Sequence, residues 1–315
     1  MFDGTIPELE AEDLLVEDLL SSGSLECDDA PPVLPPDIAD WTPDLRLAAI
    51  LSVVDVDTLS EEDRVRYLKA SDRLNNAGQA RTFQAMTSIS DAYRQLGVDM
   101  AEAERGAALE IRSALRMTPR TAENELALAH ETRSRIPALM REMKLGRMDL
   151  RRVRVLTRHT AHLSTAHART VCDELMDRVA GTTPGQLTEL VRRKCLELAP
   201  EETDRQRKQA HADRRVVSYP NPDGTATLVL YGLDPVHCQE ILDRLNRLAR
   251  QHAGGSRTMD QLRSDLAVTD LRGHTGPVSN GSVHITVDLS TLTRLLDEPG
   301  DLAGYGPVVA DIARQ

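Results

Sequence analysis

Between Trp41 and Ala212 apolar residues recur at intervals of three and four, the spacing that lines one face of an α-helix. Ile111, Ala114 and Leu115 are answered by Ala122, Leu126 and Ala129, and further on Met148, Leu150, Val153, Val155 and Leu156 repeat the pattern. Starts are readable. Thr42-Pro43, Thr118-Pro119, Thr183-Pro184 and Asp234-Pro235 each set an N-cap oxygen before a proline whose missing N–H costs nothing at the first helical position. Ser60 with Asp63 three residues on, and Asp149 before a long amphipathic run, add two more. Gly97, Gly146 and Gly181 supply stops, so residues 41–212 are predicted to form a helical bundle of about eight helices.

After Asp213 the period changes. RRVVSYP and TATLVLYGL are β-rich runs separated by the turn signal NPDG, and SVHITVDLS alternates Val283, Ile285, Val287 and Leu289. Helices are expected at 235–251 and 258–271, the first stopped by Gly254-Gly255. The predicted fold class is therefore mainly α with a small α+β C-terminal unit: a β-hairpin, two helices and a further strand over 213–290. Residues 291–315, ending DLAGYGPVVADIARQ, read as a helix-leaning lead-in to another element. No repeat of fixed period is present.

Charge changes this picture. The net charge is −12, but residues 1–63 carry eighteen Asp and Glu against the single basic Arg46, while residues 105–158 hold thirteen basic and six acidic side chains. Residues 1–40, rich in Asp, Glu, Ser and Pro, are expected to be an acidic disordered arm. Its PELEAEDLLVEDLL stretch is either a solvated tail or an amphipathic turn or two against a partner. No apolar run long enough to span a bilayer and no signal peptide is readable, so a cytoplasmic protein is expected. Cys27, Cys172, Cys195 and Cys238 form no C-x-x-C pair and read as reduced thiols.

The stretch with the most specific chemistry is EIRSALRMTPRTAENELALA, within a helix-turn-helix-like segment over 104–131. A compact apolar corner of this kind leaves the first turns of its second helix open to a major groove, here Arg120, Thr121, Asn124 and Glu125. Arginine forks onto guanine, asparagine onto adenine, and threonine contacts a methyl or a phosphate. Arg116 stands where such corners usually carry glycine, and the alternative is an ordinary corner of an all-α bundle. Behind it, Arg147, Arg151, Arg152, Arg154 and Arg158 fall over about three turns with only Asp149 among them, which suits phosphate contacts.

His159, His162, His167 and Cys172 lack a metal-site spacing and read as polar surface histidines and a reduced thiol rather than as a metal site. His237 and Cys238 are helix neighbours pointing about 100° apart, so they form no catalytic pair. No phosphate loop, nucleophile elbow or catalytic, cofactor or metal site is assigned. Aromatic residues make up 3% of the chain, too few for base-stacking platforms, so a nucleic-acid partner would be double-stranded DNA.

Taken together, the corner segment, LGRMDLRRVRVL, VAGTTPGQLTELVRRKCLELAP, DRRVVSYPNPDGTATLVLYGLDP and GDLAGYGPVVADIARQ resemble the domain of unknown function 222 found in the 13E12 repeat proteins of high-GC bacteria. The resemblance spans residues 45–315. It implies a helical domain with an α+β tail, a role with DNA, and in many members a C-terminal HNH nuclease domain that begins after the AGYGP segment. No histidine follows His284 and no cysteine follows Cys238, so the metal and catalytic residues of that nuclease are missing from this sequence. The expectation is a duplex-DNA-binding module that is not itself an enzyme, with the nuclease removed by truncation or supplied as a separately encoded domain. The alternative is a helical protein-interaction or oligomerisation scaffold, a homo-oligomer or the remnant of a truncated nuclease gene.

Overall fold

The structure, a computed structural model, describes residues 34–272, 284–303 and 306–314. Most of the predicted acidic arm, residues 1–33, lies outside them. The chain divides into two compact units, Met1–Thr203 and Asp204–Gln315.

Unit 1 is helical. Its helices are α1 (Leu45–Val53), α2 (Glu61–Gln95), α3 (Met100–Leu115), α4 (Pro119–His130), α5 (Pro137–Lys144), α6 (Leu150–Thr160), α7 (Thr165–Val179) and α8 (Pro184–Leu198). A single π-helical turn, Glu131–Arg135, joins α4 to α5, and α9 (Pro200–Ala212) runs across the division between the units. The caps explain the starts. Ser60, Asp99, Thr118, Asp149, Ser164 and Thr183 each accept an amide N–H of the first turn, and Thr183 with Gln186 completes a reciprocal capping box. One start differs from the sequence reading. α1 is capped by Asp44, which accepts the Leu47 N–H at 3.2 Å, rather than beginning at Thr42-Pro43.

The main core takes one apolar stripe from each of α2 to α8, with Phe83, Ile111, Leu126, Leu139, Leu156, Val171 and Leu187 among its fully or nearly fully buried side chains. A second cluster gathers Leu34, Ile38, Leu47, Leu51, Leu59 and Ala70 around the first half of α2. This corrects the expectation that residues up to Asp40 are disordered. Leu34 and Ile38 are buried, and Ile38–Asp40 forms a 3-10 turn, because two well-spaced apolar side chains find a pocket beside α1 and α2.

Between α5 and α6 the chain turns at Gly146, whose φ of +71° falls in the left-handed region. A Cβ there would stand 2.7 Å from the Arg73 carbonyl oxygen of α2. Arg73 and Asn76 donate to the carbonyls of Leu145 and Gly146 at 3.2 and 3.4 Å. The entry to α6 is thus tied to α2.

Unit 2 contains an antiparallel ribbon of β1 (Arg215–Pro220) and β2 (Ala226–Tyr231), a helical hairpin of α10 (Pro235–Gln251) and α11 (Met259–Arg272), and a second small antiparallel sheet. The NPDG turn and both long helices fall where the pattern predicts them. The third strand does not extend over SVHITVDLS: β3 is Ile285–Thr286, and α12 (Leu289–Leu292) follows at once, with residues 281–283 outside the described part. β3 pairs with β4 (Gly300–Leu302), which pairs with β5 (Gly306–Val308) ahead of α13 (Ala310–Ala313). Part of the predicted lead-in is therefore sheet, with Gly306 opening β5 at a φ of +104° that favours glycine, where the apolar pattern alone suggested helix.

Candidate nucleic-acid interface

The α3–α4 corner closes through Arg116, which adopts the left-handed conformation at φ 52° and ψ 42° and lets the Met117 N–H return to the Arg112 carbonyl. The corner forms without the usual glycine, at the cost of placing a Cβ in that region. Ala122, Leu126 and Ala129 turn α4 inward, and Arg120, Thr121 and Asn124 are exposed on its outer side. The Thr121 hydroxyl lies 2.8 Å from that of Thr118, so it is shared with the cap.

α6 buries Val153, Leu156, Thr157 and Thr160 and turns Arg151, Arg154 and Arg158 outward at positions i, i+3 and i+7 of one face. The five sequence-predicted arginines of this region separate into two groups. Arg152 is structural: it pairs with the capping Asp149 and donates to the Thr182 carbonyl through Nε at 3.1 Å and Nη2 at 2.7 Å, fastening α6 to the turn before α8. Arg147 is held by Glu142 of α5 through Nε at 2.7 Å and Nη2 at 3.1 Å, and lines a cleft of about 570 Å³ with Asp173 and Asp177 of α7. Arg154 pairs with Glu125 of α4 but stays half-exposed. Arg151 and Arg158 are exposed, and their guanidinium groups make no ion pair among the described residues.

Within the stretch itself Asp149 is the one carboxylate, and it engages Arg152; the further partners come from outside it. Glu142 and Glu125 reach two of the five arginines, one from the preceding helix and one from a helix far back in the chain.

Electrostatics mark the same face. Burial pushes the pKa of His159 below its ordinary value, and the positive charges of Arg158 and of Arg192 on α8 push it further. The guanidinium of Arg147 holds Glu142 below the usual carboxylate range against the opposing effect of burial. Cys172, deep in the core, has its thiol pushed up to about 12, and Cys195 to about 11. His162 meets Thr203, and His167 meets Glu202 at 3.1 Å. No group of three metal-capable side chains converges among the described residues. Cys238 is exposed.

Arg135 was not singled out in the sequence, yet it fixes the end of α6. From the π-helical turn it donates to the carbonyls of Thr160 and Leu163 at 2.7 and 2.8 Å while pairing with Glu131, satisfying acceptors that a helix C-terminus leaves open. Its only sequence signal was a basic residue before Ile136-Pro137, which does not reveal a contact 25 residues away.

A helical unit with an arginine-faced helix beside an exposed helical corner, followed by a small α+β unit, defines the class of protein. The family described as a domain of unknown function (DUF222) matches residues 70–309, and the chain belongs to it. No curated protein and no solved structure matches the chain.

Proposed function

We propose that the outer faces of α4 and α6 bind duplex DNA, with α3–α4 acting as a helix-turn-helix and the chain positioning on DNA without cutting it. The observation that carries this reading is the pair of exposed arginines, Arg151 and Arg158, that have no ion-pair partner among the described residues, beside Arg154 and next to a helix that exposes Arg120, Thr121 and Asn124. Guanidinium groups left in water on one face are available to phosphates, and the first turns of α4 carry the side-chain types that read base edges. Three or four such contacts give a salt slope of about −3, from roughly −0.9 per phosphate. Fluorescence anisotropy of a labelled duplex across a salt series tests this. Binding with that slope, lost on changing Arg151 and Arg158 to Ala, supports the reading; no binding at low salt removes it.

A second reading, an oligomerisation scaffold, has its own observation. Val236, Ile241 and Leu242 of α10 and Val268 and Leu271 of α11, all toward the open end of the helical hairpin, are exposed large apolar side chains of the kind that association covers. Analytical ultracentrifugation of the wild type against Leu242→Glu separates the two: a concentration-dependent dimer lost in the variant favours the scaffold.

A further inference from the structure

Residues 1–33 contain ten Asp and Glu and no Lys or Arg. They join the fold at Leu34, which is buried with Ile38 in the cluster that includes Ala70 of the first half of α2. Ala70 lies six residues, about 9 Å along the helix, from Asn76. Asn76 donates to the Gly146 carbonyl, three residues before the Asp149 cap of α6. The root of the acidic segment and the turn that enters the arginine helix are thus both anchored on the first half of α2. Thirty-three residues reach at most about 110 Å, several times the length of α6, so the whole outer face lies within their span.

We infer that the arginine face of α6, with the neighbouring exposed end of α4, is an interaction surface for the chain's own acidic segment, residues 3–29. Among the described residues Arg151 and Arg158 have no carboxylate partner, and Arg154 has one for a half-exposed guanidinium. A tethered polyanion meets them at an effective concentration on the order of millimolar. The contact is between exposed charges, so salt weakens it steeply. It concerns the same face as the DNA reading but stands on the charge and the tether, not on DNA. If both hold, duplex and segment compete.

The chain's cysteines allow a direct test. Cys172 and Cys195 are buried and resist labelling, so in full-length protein carrying Cys238→Ser a nitroxide attaches at Cys27. Amide NMR signals are compared at about 20 mM and about 500 mM salt without DNA, conditions that take the screening length from well above to well below 10 Å. Broadening confined to residues 120–125 and 151–158 at low salt, relieved at high salt, is the expected result. It is lost in Arg151→Glu with Arg158→Glu and kept in Arg151→Lys with Arg158→Lys, which preserve the charge. No broadening of these residues at low salt, or broadening unchanged in the charge-reversed protein, overturns the inference. Duplex is then added to the same sample. Relief of the broadening supports a shared face, whereas a segment contact that duplex never displaces leaves the inference standing and counts against the DNA reading.

Discussion

Glu125 of α4 and Arg154 of α6, 29 residues apart in sequence, form an ion pair that links the helical corner to the arginine helix. The carboxylate is mostly covered and the guanidinium half-exposed, so the pair couples the position of α4 to that of α6 while occupying one cation of the candidate face.

Glu125→Ala is expected to release Arg154. Partly exposed pairs contribute about 0–1 kcal/mol, so the melting temperature should change little. Duplex affinity should rise severalfold and the salt slope should steepen by about one unit, since one more phosphate is met. Anisotropy titrations beside thermal denaturation check both halves, and weakened DNA binding would show that the pair positions α4 rather than withholding a charge.

Arg152 and Arg151 are sequence neighbours with different tasks. Arg152→Ala should cost about 2 kcal/mol through the lost Asp149 pair and the orphaned Thr182 carbonyl. Arg151→Ala should leave stability within about 0.5 kcal/mol of the wild type while weakening duplex binding. Denaturant unfolding of the two variants tests the contrast; equal losses would contradict it.

Arg116→Gly should stabilise the protein by about 1 kcal/mol. The left-handed conformation costs an L-residue about 1–2 kcal/mol, of which glycine's greater freedom in the unfolded chain takes back a part. The side chain is exposed and makes no hydrogen bond or ion pair among the described residues that the change would remove. A lower unfolding midpoint would mean that Arg116 makes a compensating contact.

The Glu142 carboxylate has its pKa depressed in the folded state, chiefly by hydrogen bonds from Arg147. Its contribution is therefore present above the ordinary value of about 4.3 and is lost as pH falls through the lower folded value. Glu142→Gln should be less stable than the wild type at pH 7 by about 1 kcal/mol, a charge-assisted bond discounted for the half-exposed arginine. The gap should narrow as pH falls below about 4, and urea unfolding across that range measures it.

His159 offers a reporter of the face. With its folded pKa lowered, the neutral ring's contribution is lost as pH drops below about 6.5, where the unfolded chain takes up the proton first. An anion laid over Arg158 and Arg192 offsets the charges that depress it, so duplex should raise the pKa in an NMR titration. An unchanged value with DNA bound would place the DNA elsewhere.

Much of the fold was legible because helix starts are local. Thr118-Pro119, Asp149, Thr183-Pro184 and Asp234-Pro235 announce themselves within four residues, and all four cap helices. The α1 start was misplaced because Asp44 competes with Thr42 two residues earlier, and the nearer oxygen meets the first free amides. β3, β4 and β5 are only two or three residues long, too short for alternation to register. The candidate face was legible in kind but not in membership. Helical spacing places Arg151, Arg154 and Arg158 together, yet the carboxylates that engage Arg147 and Arg154 come from other helices, and only packing brings them near.

Trp41 is the single tryptophan of the chain, and it rests on the small cluster around the first half of α2 with the Arg46 guanidinium 4.4 Å from its ring centre. Intrinsic fluorescence therefore watches the root of the acidic segment and is blind to the main core, whose helices dominate circular dichroism. If the two optical signals part company on heating, the anchor of that segment melts as a unit of its own, and warming lengthens the tether of the acidic residues before it loosens the main core.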